Sequence, residues 1–173
     1  MPTVSNYPRR KPLRLADFDY HTPGAYFVTV VTDRRPPRFG IVDGRGDMVL
    51  NELGRAVAEE WLALGTVFPT AALGEFVVMP NHFHAVLWIL EPDPTLDRPS
   101  LSDTMGRFKS RTTRAHLRLA STRGERAPRL WQCGYHDRVL RDERELEAAT
   151  DYIAANPTNW REDKWYFAPQ GET

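Results

Sequence analysis

The sequence predicts an α+β fold in which an antiparallel sheet carries helices on one face and a further helix follows close to the C-terminus. Three observations predict it. Short runs of β-branched and aromatic residues alternate with stretches whose apolar residues recur at helical spacing. These segments follow one another as β-α-β-β-α-β and then a helix. A chain of 173 residues is long enough to bury one core and too short for a second full domain.

Each element has its own signal. Residues 1–24, rich in Pro, Arg and Tyr, read as an extended basic arm, which leaves 25–173 as a single domain. The run Ala25-Tyr-Phe-Val-Thr-Val-Val-Thr, ended by Asp33-Arg-Arg-Pro-Pro, predicts a central strand. Asn51 is a candidate N-cap, and Leu53, Val57, Trp61 and Leu64 follow at helical spacing until Gly65. Gly74-Glu-Phe-Val-Val-Met and His82-Phe-His-Ala-Val-Leu-Trp-Ile-Leu read as two strands of a hairpin turned at Pro80-Asn81. A second helix is predicted from Ser102 or Asp103 to about Ser121, with Met105, Phe108, Thr112, Ala115 and Leu119 as its apolar stripe. Leu130-Trp-Gln-Cys followed by His136-Asp-Arg-Val-Leu reads as the last strand, and a helix from about Glu143 to Ala155 is stopped by Pro157. The order matches the ferredoxin-like, split βαβ arrangement. That fold hosts many functions, so function has to be argued from particular residues.

Cys133 is the only cysteine, which excludes an internal disulfide and a cysteine-clustered zinc site and suits a reducing cytoplasm. The first ten residues lack the apolar core of a signal peptide, and no apolar run approaches membrane-spanning length. A soluble cytoplasmic protein is therefore expected. Twenty-three Lys and Arg balance twenty-three Asp and Glu, but nucleic-acid binding depends on where the cations lie rather than on their sum. Arg107, Lys109, Arg111, Arg114, Arg118, Arg123 and Arg126 cluster on or just after the second helix, against only Asp103 and Glu125. With Arg9, Arg10, Lys11 and Arg14 of the arm they form a candidate phosphate clamp, although a solvated helix face would have the same composition.

Two constellations carry chemistry. His82 and His84 lie at i and i+2 on a strand, so both imidazoles face the same side and can converge on one cation. Two hydrogen-bonded structural histidines would fit the same spacing. On the last helix Tyr152 and Asn156 are i and i+4, which puts a phenol and an amide oxygen on one face. A metal held by the histidines can take Asn156 as an oxygen ligand while Tyr152 attacks a phosphate on the same ion. A packed tyrosine and an asparagine ending a helix before Pro157 are the structural alternative.

Tyr26-Phe-Val-Thr-Val-Val-Thr, Val78-Met-Pro-Asn-His-Phe-His, Phe108-Lys-Ser-Arg, Leu130-Trp-Gln-Cys-Gly-Tyr-His-Asp and Tyr152-Ile-Ala-Ala-Asn-Pro occur in this order between Leu13 and Trp165. Together they resemble the REP-associated tyrosine transposases, relatives of the single-tyrosine insertion-sequence transposases within the HUH endonuclease superfamily. The resemblance implies that His82 and His84 are paired metal ligands and Tyr152 the nucleophile, with Asn156 placed like the third ligand and Tyr135 as a rival nucleophile. It further implies Mg²⁺ or Mn²⁺ as cofactor, and cleavage and rejoining of single-stranded DNA through a 5′-phosphotyrosine link, without ATP. The implied partner is single-stranded DNA beside a short hairpin, by resemblance a REP-like palindrome in the nucleoid. The basic helix and arm would serve as clamps, Tyr7, Tyr20 or Trp131 as stacking platforms, and the protein as a monomer or homodimer. Two other readings stay open, a catalytically idle single-strand-binding module and a His-x-His zinc hydrolase.

Overall fold

The computed structural model describes residues 21–91 and 99–167. Residues 1–20 of the predicted arm, with its cations Arg9, Arg10, Lys11 and Arg14 and with Tyr7 and Tyr20, lie outside them. The β-branched run near the start forms β1 (Gly24–Val31) at the centre of a sheet whose other strands are β4 (Ala71–Val78), β5 (His82–Ile89) and β6 (His136–Leu140). The strand order is β4-β5-β1-β6, and every neighbouring pair is antiparallel. This is the split βαβ arrangement, with β5 lying between β1 and the strand that follows the first helix.

Alternation along the strands sorts the core into two layers. Tyr26, Val28, Val30, Phe83, Ala85 and Leu87 face α1 (Glu52–Leu62) and α3 (Leu101–Thr122), which contribute Val57, Trp61, Met105 and Phe108. Each of the buried Val, Leu, Met and Phe side chains contributes about 1.5–3 kcal/mol. Ala25, Phe27, Val86 and Trp88 face the opposite way, against Ala149 and Ile153 of α4 (Glu143–Ala155). The first two long helices therefore share one face, and the helix carrying Tyr152 covers the other.

Local chemistry fixes the helix ends. The Gly54 N–H donates to Asn51 Oδ1 at 2.9 Å, Ser100 and Asp103 form a reciprocal capping box, and the Glu145 N–H donates to Asp142 Oδ1 at 2.8 Å. Glu143 and Glu145 in the first turn of α4 suit the positive end of its dipole.

The structure departs from the sequence reading in three places. A small hairpin of β2 (Gly40–Val42) and β3 (Met48–Leu50) precedes α1, and a single turn, α2 (Leu64–Val67), follows it. The segment Leu130-Trp-Gln-Cys, expected as part of the last strand, makes only an isolated bridge, Trp131 to Thr32. Side chains of α3 hold it instead: the Trp131 indole N–H donates to Thr112 Oγ1 at 2.8 Å, and Lys109 Nζ donates to the Gln132 carbonyl at 2.8 Å. Trp131 and Tyr135 are both buried in the α1/α3 layer, so neither is presented for base stacking or nucleophilic attack. Among the described residues no helix is long and apolar enough to cross a membrane.

Candidate active site

His82 and His84 alternate with Phe83 on β5, so Phe83 enters the α1/α3 core while both imidazoles face the α4 side. Their rings lie 4.5 Å apart, centroid to centroid, and both residues are buried. The neighbouring groups set which nitrogen carries hydrogen. Asn81 Nδ2 donates to the Arg35 and Trp165 carbonyls at 2.9 and 2.8 Å. This orients its amide oxygen as the acceptor, 2.9 Å from His82 Nδ1, so that nitrogen is the donor. His84 Nδ1 pairs with Thr29 Oγ1 at 2.7 Å. In both rings Nε2 is left buried without a hydrogen-bond partner.

Burial is the main reason both imidazoles are neutral. It pushes His82 down to about 4, against the opposing pull of Asp163 and the Asn156 side chain, with Lys164 adding to the lowering. His84 lies well below its ordinary value, through burial first and then the neighbouring His82 and Lys164. Two neutral imidazoles are metal ligands in their competent state.

α4 brings the remaining groups. Ile153 and Ala149 anchor it to the sheet, which turns Tyr152 and Asn156 toward the histidines. The Tyr152 ring meets His84 edge-on at 5.3 Å and Phe27 at 5.9 Å. Its hydroxyl donates to Asp163 Oδ2 at 2.9 Å, and Asn156 Nδ2 donates to the same oxygen at 2.9 Å. Since that bond orients the amide, Asn156 Oδ1 is the free end, and it too is buried without a hydrogen-bond partner. The amide oxygen favours protonation of His82 without meeting hydrogen-bond geometry to it, so the two groups are near neighbours. Tyr152 is 41% exposed, and its phenol is pushed up to about 12 by burial and then by the Asp163 carboxylate.

Asp163 is the residue that sequence reasoning missed. It lies beyond Pro157, just after a 3-10 turn at Trp160–Glu162, and the Trp165 N–H holds its Oδ1 at 2.6 Å. Ligand atoms of His82, His84 and Asp163 all fall within 4.8 Å of one another. No spacing rule points to it, because an acid seven residues after Asn156 enters the site only through the return of the chain. His82 Nε2, His84 Nε2 and Asn156 Oδ1 are thus three buried polar atoms without a hydrogen-bond partner, beside a carboxylate. Such a set is costly to bury alone and suits a divalent cation with nitrogen and oxygen ligands.

No family model matches the chain. An uncharacterised protein from Haemophilus influenzae strain Rd is 28% identical over 169 residues, covering 91% of this chain and 93% of its own. The solved structure of a REP-associated tyrosine transposase bound to a REP hairpin aligns with TM-score 0.54 over 87% of this chain and 88% of that one, at 18% identity. This chain has the tyrosine-transposase fold. A second solved structure, from Deinococcus radiodurans R1, aligns at TM-score 0.46 and 17% identity, over 89% of this chain and 96% of that one.

On this tyrosine-transposase fold the basic helix α3 lies across the sheet from the histidines. Arg107, Arg114 and Arg118 are exposed there. Arg111 is ion-paired with Glu60 of α1, to which Arg118 also approaches within 4.0 Å, and Arg123 pairs with Glu52 at 2.6 Å. Lys109 is spent on the Gln132 and Gly134 carbonyls, and burial lowers its pKa. The cluster seen in sequence is therefore partly neutralised by acids of α1 and by the loop before β6.

Proposed function

We propose that the chain is a REP-associated tyrosine transposase, a metal-dependent endonuclease and strand transferase that acts on single-stranded DNA beside a hairpin. The observation that carries this reading is the meeting, on one sheet face, of Tyr152 with two buried imidazole nitrogens and an amide oxygen that have no hydrogen-bond partner. His82, His84 and Asn156 would hold Mg²⁺ or Mn²⁺, which when bound supplies Lewis-acid polarisation of a phosphate oxygen and offsets transition-state charge. Asp163 adds negative charge beside them. Both of its oxygens already accept hydrogen bonds, from Tyr152, Asn156 and the Trp165 N–H, so Asn156 is the better third ligand.

Tyr152 Oη attacks the scissile phosphorus, the bond to the 3′-oxygen breaks and a 5′-phosphotyrosine forms, and the departing 3′-oxygen takes a proton from solvent to become a free 3′-hydroxyl. Its proton passes to Asp163, the acceptor already in place 2.9 Å away. Attack by another 3′-hydroxyl on the phosphotyrosine reverses these bonds and joins strands. Arg107, Arg114 and Arg118, together with the basic arm, serve as contacts to hairpin phosphates, in the cytoplasm on nucleoid DNA.

The deciding experiment incubates end-labelled single-stranded hairpins with the protein and Mn²⁺ or EDTA, followed by denaturing electrophoresis. A covalent band that depends on metal supports the reading; metal-dependent cleavage without any adduct instead supports a hydrolase ligated by His82, His84 and Asp163, the second reading that this carboxylate favours. Asp163→Asn is expected to slow adduct formation about 10- to 100-fold in single turnover and to alter its pH profile, with hairpin affinity unchanged. An unaltered rate and profile would take Asp163 out of the proton path.

A further inference from the structure

The face of the sheet that bears Tyr152 continues past it into a cleft of about 550 Å³, bounded by Phe27, His84 and Arg138 from the sheet, Ala148 and Tyr152 from α4, and Lys164. Its volume falls within the range of about 300–1,000 Å³ that suits small-molecule sites. We propose that this cleft receives one unstacked nucleotide of the DNA strand, the neighbour of the phosphate that Tyr152 attacks. The proposal rests on the nuclease reading and deepens it, because it names what the site grips beside the reacting phosphate.

Three features support it. The cleft opens at the Tyr152 phenol and the His84 ring, so a strand whose phosphate lies at those groups has its adjoining sugar and base directed into this space. Its walls combine a stacked aromatic pair, Phe27 and His84 with ring centroids 5.1 Å apart, with cations. Arg138 stands opposite Phe27 in the β1–β6 ladder, its guanidinium carbon 5.9 Å from the Phe27 ring centroid, and Lys164 is exposed across the cleft. Aromatic faces and guanidinium planes are the usual platforms for an unpaired base, and the two cations suit the flanking phosphates. Two acids adjoin these cations: Asp137 also lines the cleft, between His136 and Arg138, and Asp163 holds the Tyr152 hydroxyl at its rim. Finally, Ala148 precedes Tyr152 by one helical turn, and a methyl side chain there leaves the volume open.

The test uses hairpin-bearing single strands selected from a randomised pool for binding to the Tyr152→Phe protein, with an abasic site then moved through each unpaired position. One position should be singular: its abasic form binds about tenfold more weakly. Ala148→Leu fills the cleft at an exposed helix position with a good helix former, so the fold is kept. It should weaken the intact strand about tenfold and leave the strand abasic at the singular position unaffected, a non-additive pair. A flat abasic scan, or losses that simply add, would overturn the proposal. Non-additivity at one position in a protein that never forms an adduct with DNA would keep the nucleotide cleft and reject the nuclease.

Discussion

Tyr152→Phe is expected to abolish the covalent protein–DNA adduct, lowering its rate by at least about a thousandfold, as removal of a nucleophile does elsewhere. Hairpin binding should survive. The substitution deletes one hydroxyl from a side chain that is 41% exposed, and the hydrogen bond lost to Asp163 is itself near solvent. The ring contacts to His84 and Phe27 involve atoms that phenylalanine retains. A stability loss of about 1 kcal/mol or less follows from a single exposed hydrogen bond. Undiminished adduct in this variant, seen by denaturing gel or by mass of the DNA-linked peptide, would remove Tyr152 from its role, and Tyr135, buried in the other layer, could not replace it without rearrangement.

The second large effect concerns the imidazoles. His82→Ala with His84→Ala is expected to eliminate metal-dependent turnover in Mg²⁺ and Mn²⁺ alike, and to eliminate Mn²⁺ binding measured by calorimetry or electron paramagnetic resonance. Asn156→Ala should weaken Mn²⁺ by a smaller factor, on the order of 10- to 100-fold. Because the double variant leaves Asn81 Oδ1 without its partner and opens space in a buried site, a companion measurement on the intact protein tests the metal site without any substitution. There, Mn²⁺ should raise Tm with concentration, and EDTA should reverse the rise. Acid gives an independent check. Both rings fold in the neutral form with pKa below the ordinary 6.5, so the unfolded chain binds protons more readily. Their contribution to stability is therefore fully present above about pH 6.5 and is lost as the pH falls toward 4 for His82. Normal turnover in the double variant, or a Tm indifferent to metal, would refute the metal site.

Much of the fold was legible because each long element announces its own ends and period. Pro157 stops α4, Asn51 caps α1, and His82-Phe-His alternates so that the pairing of the two rings follows from strand geometry alone. The β2–β3 hairpin was illegible because three-residue strands carry too little pattern, and its glycine-containing turn reads as loop. Leu130-Trp-Gln-Cys misled for a different reason: its strand-like composition reflects burial against Thr112 and Lys109 rather than pairing in a ladder. Tyr152, His82, His84 and Asn156 were each visible through local spacing. Asp163 was not, since its place beside Tyr152 and Asn156 is created by a turn that brings distant residues back to α4. The same holds for Arg111, whose charge looked available until Glu60 came across from another helix.

The Tyr152 and His84 rings, 5.3 Å apart, belong to one polypeptide. On the mechanism proposed above, a solitary copy brings together the phenol and both imidazoles, so two crippled copies are expected not to rescue each other. Blending a phenol-deficient preparation with one stripped of its imidazoles ought to stay silent at any ratio.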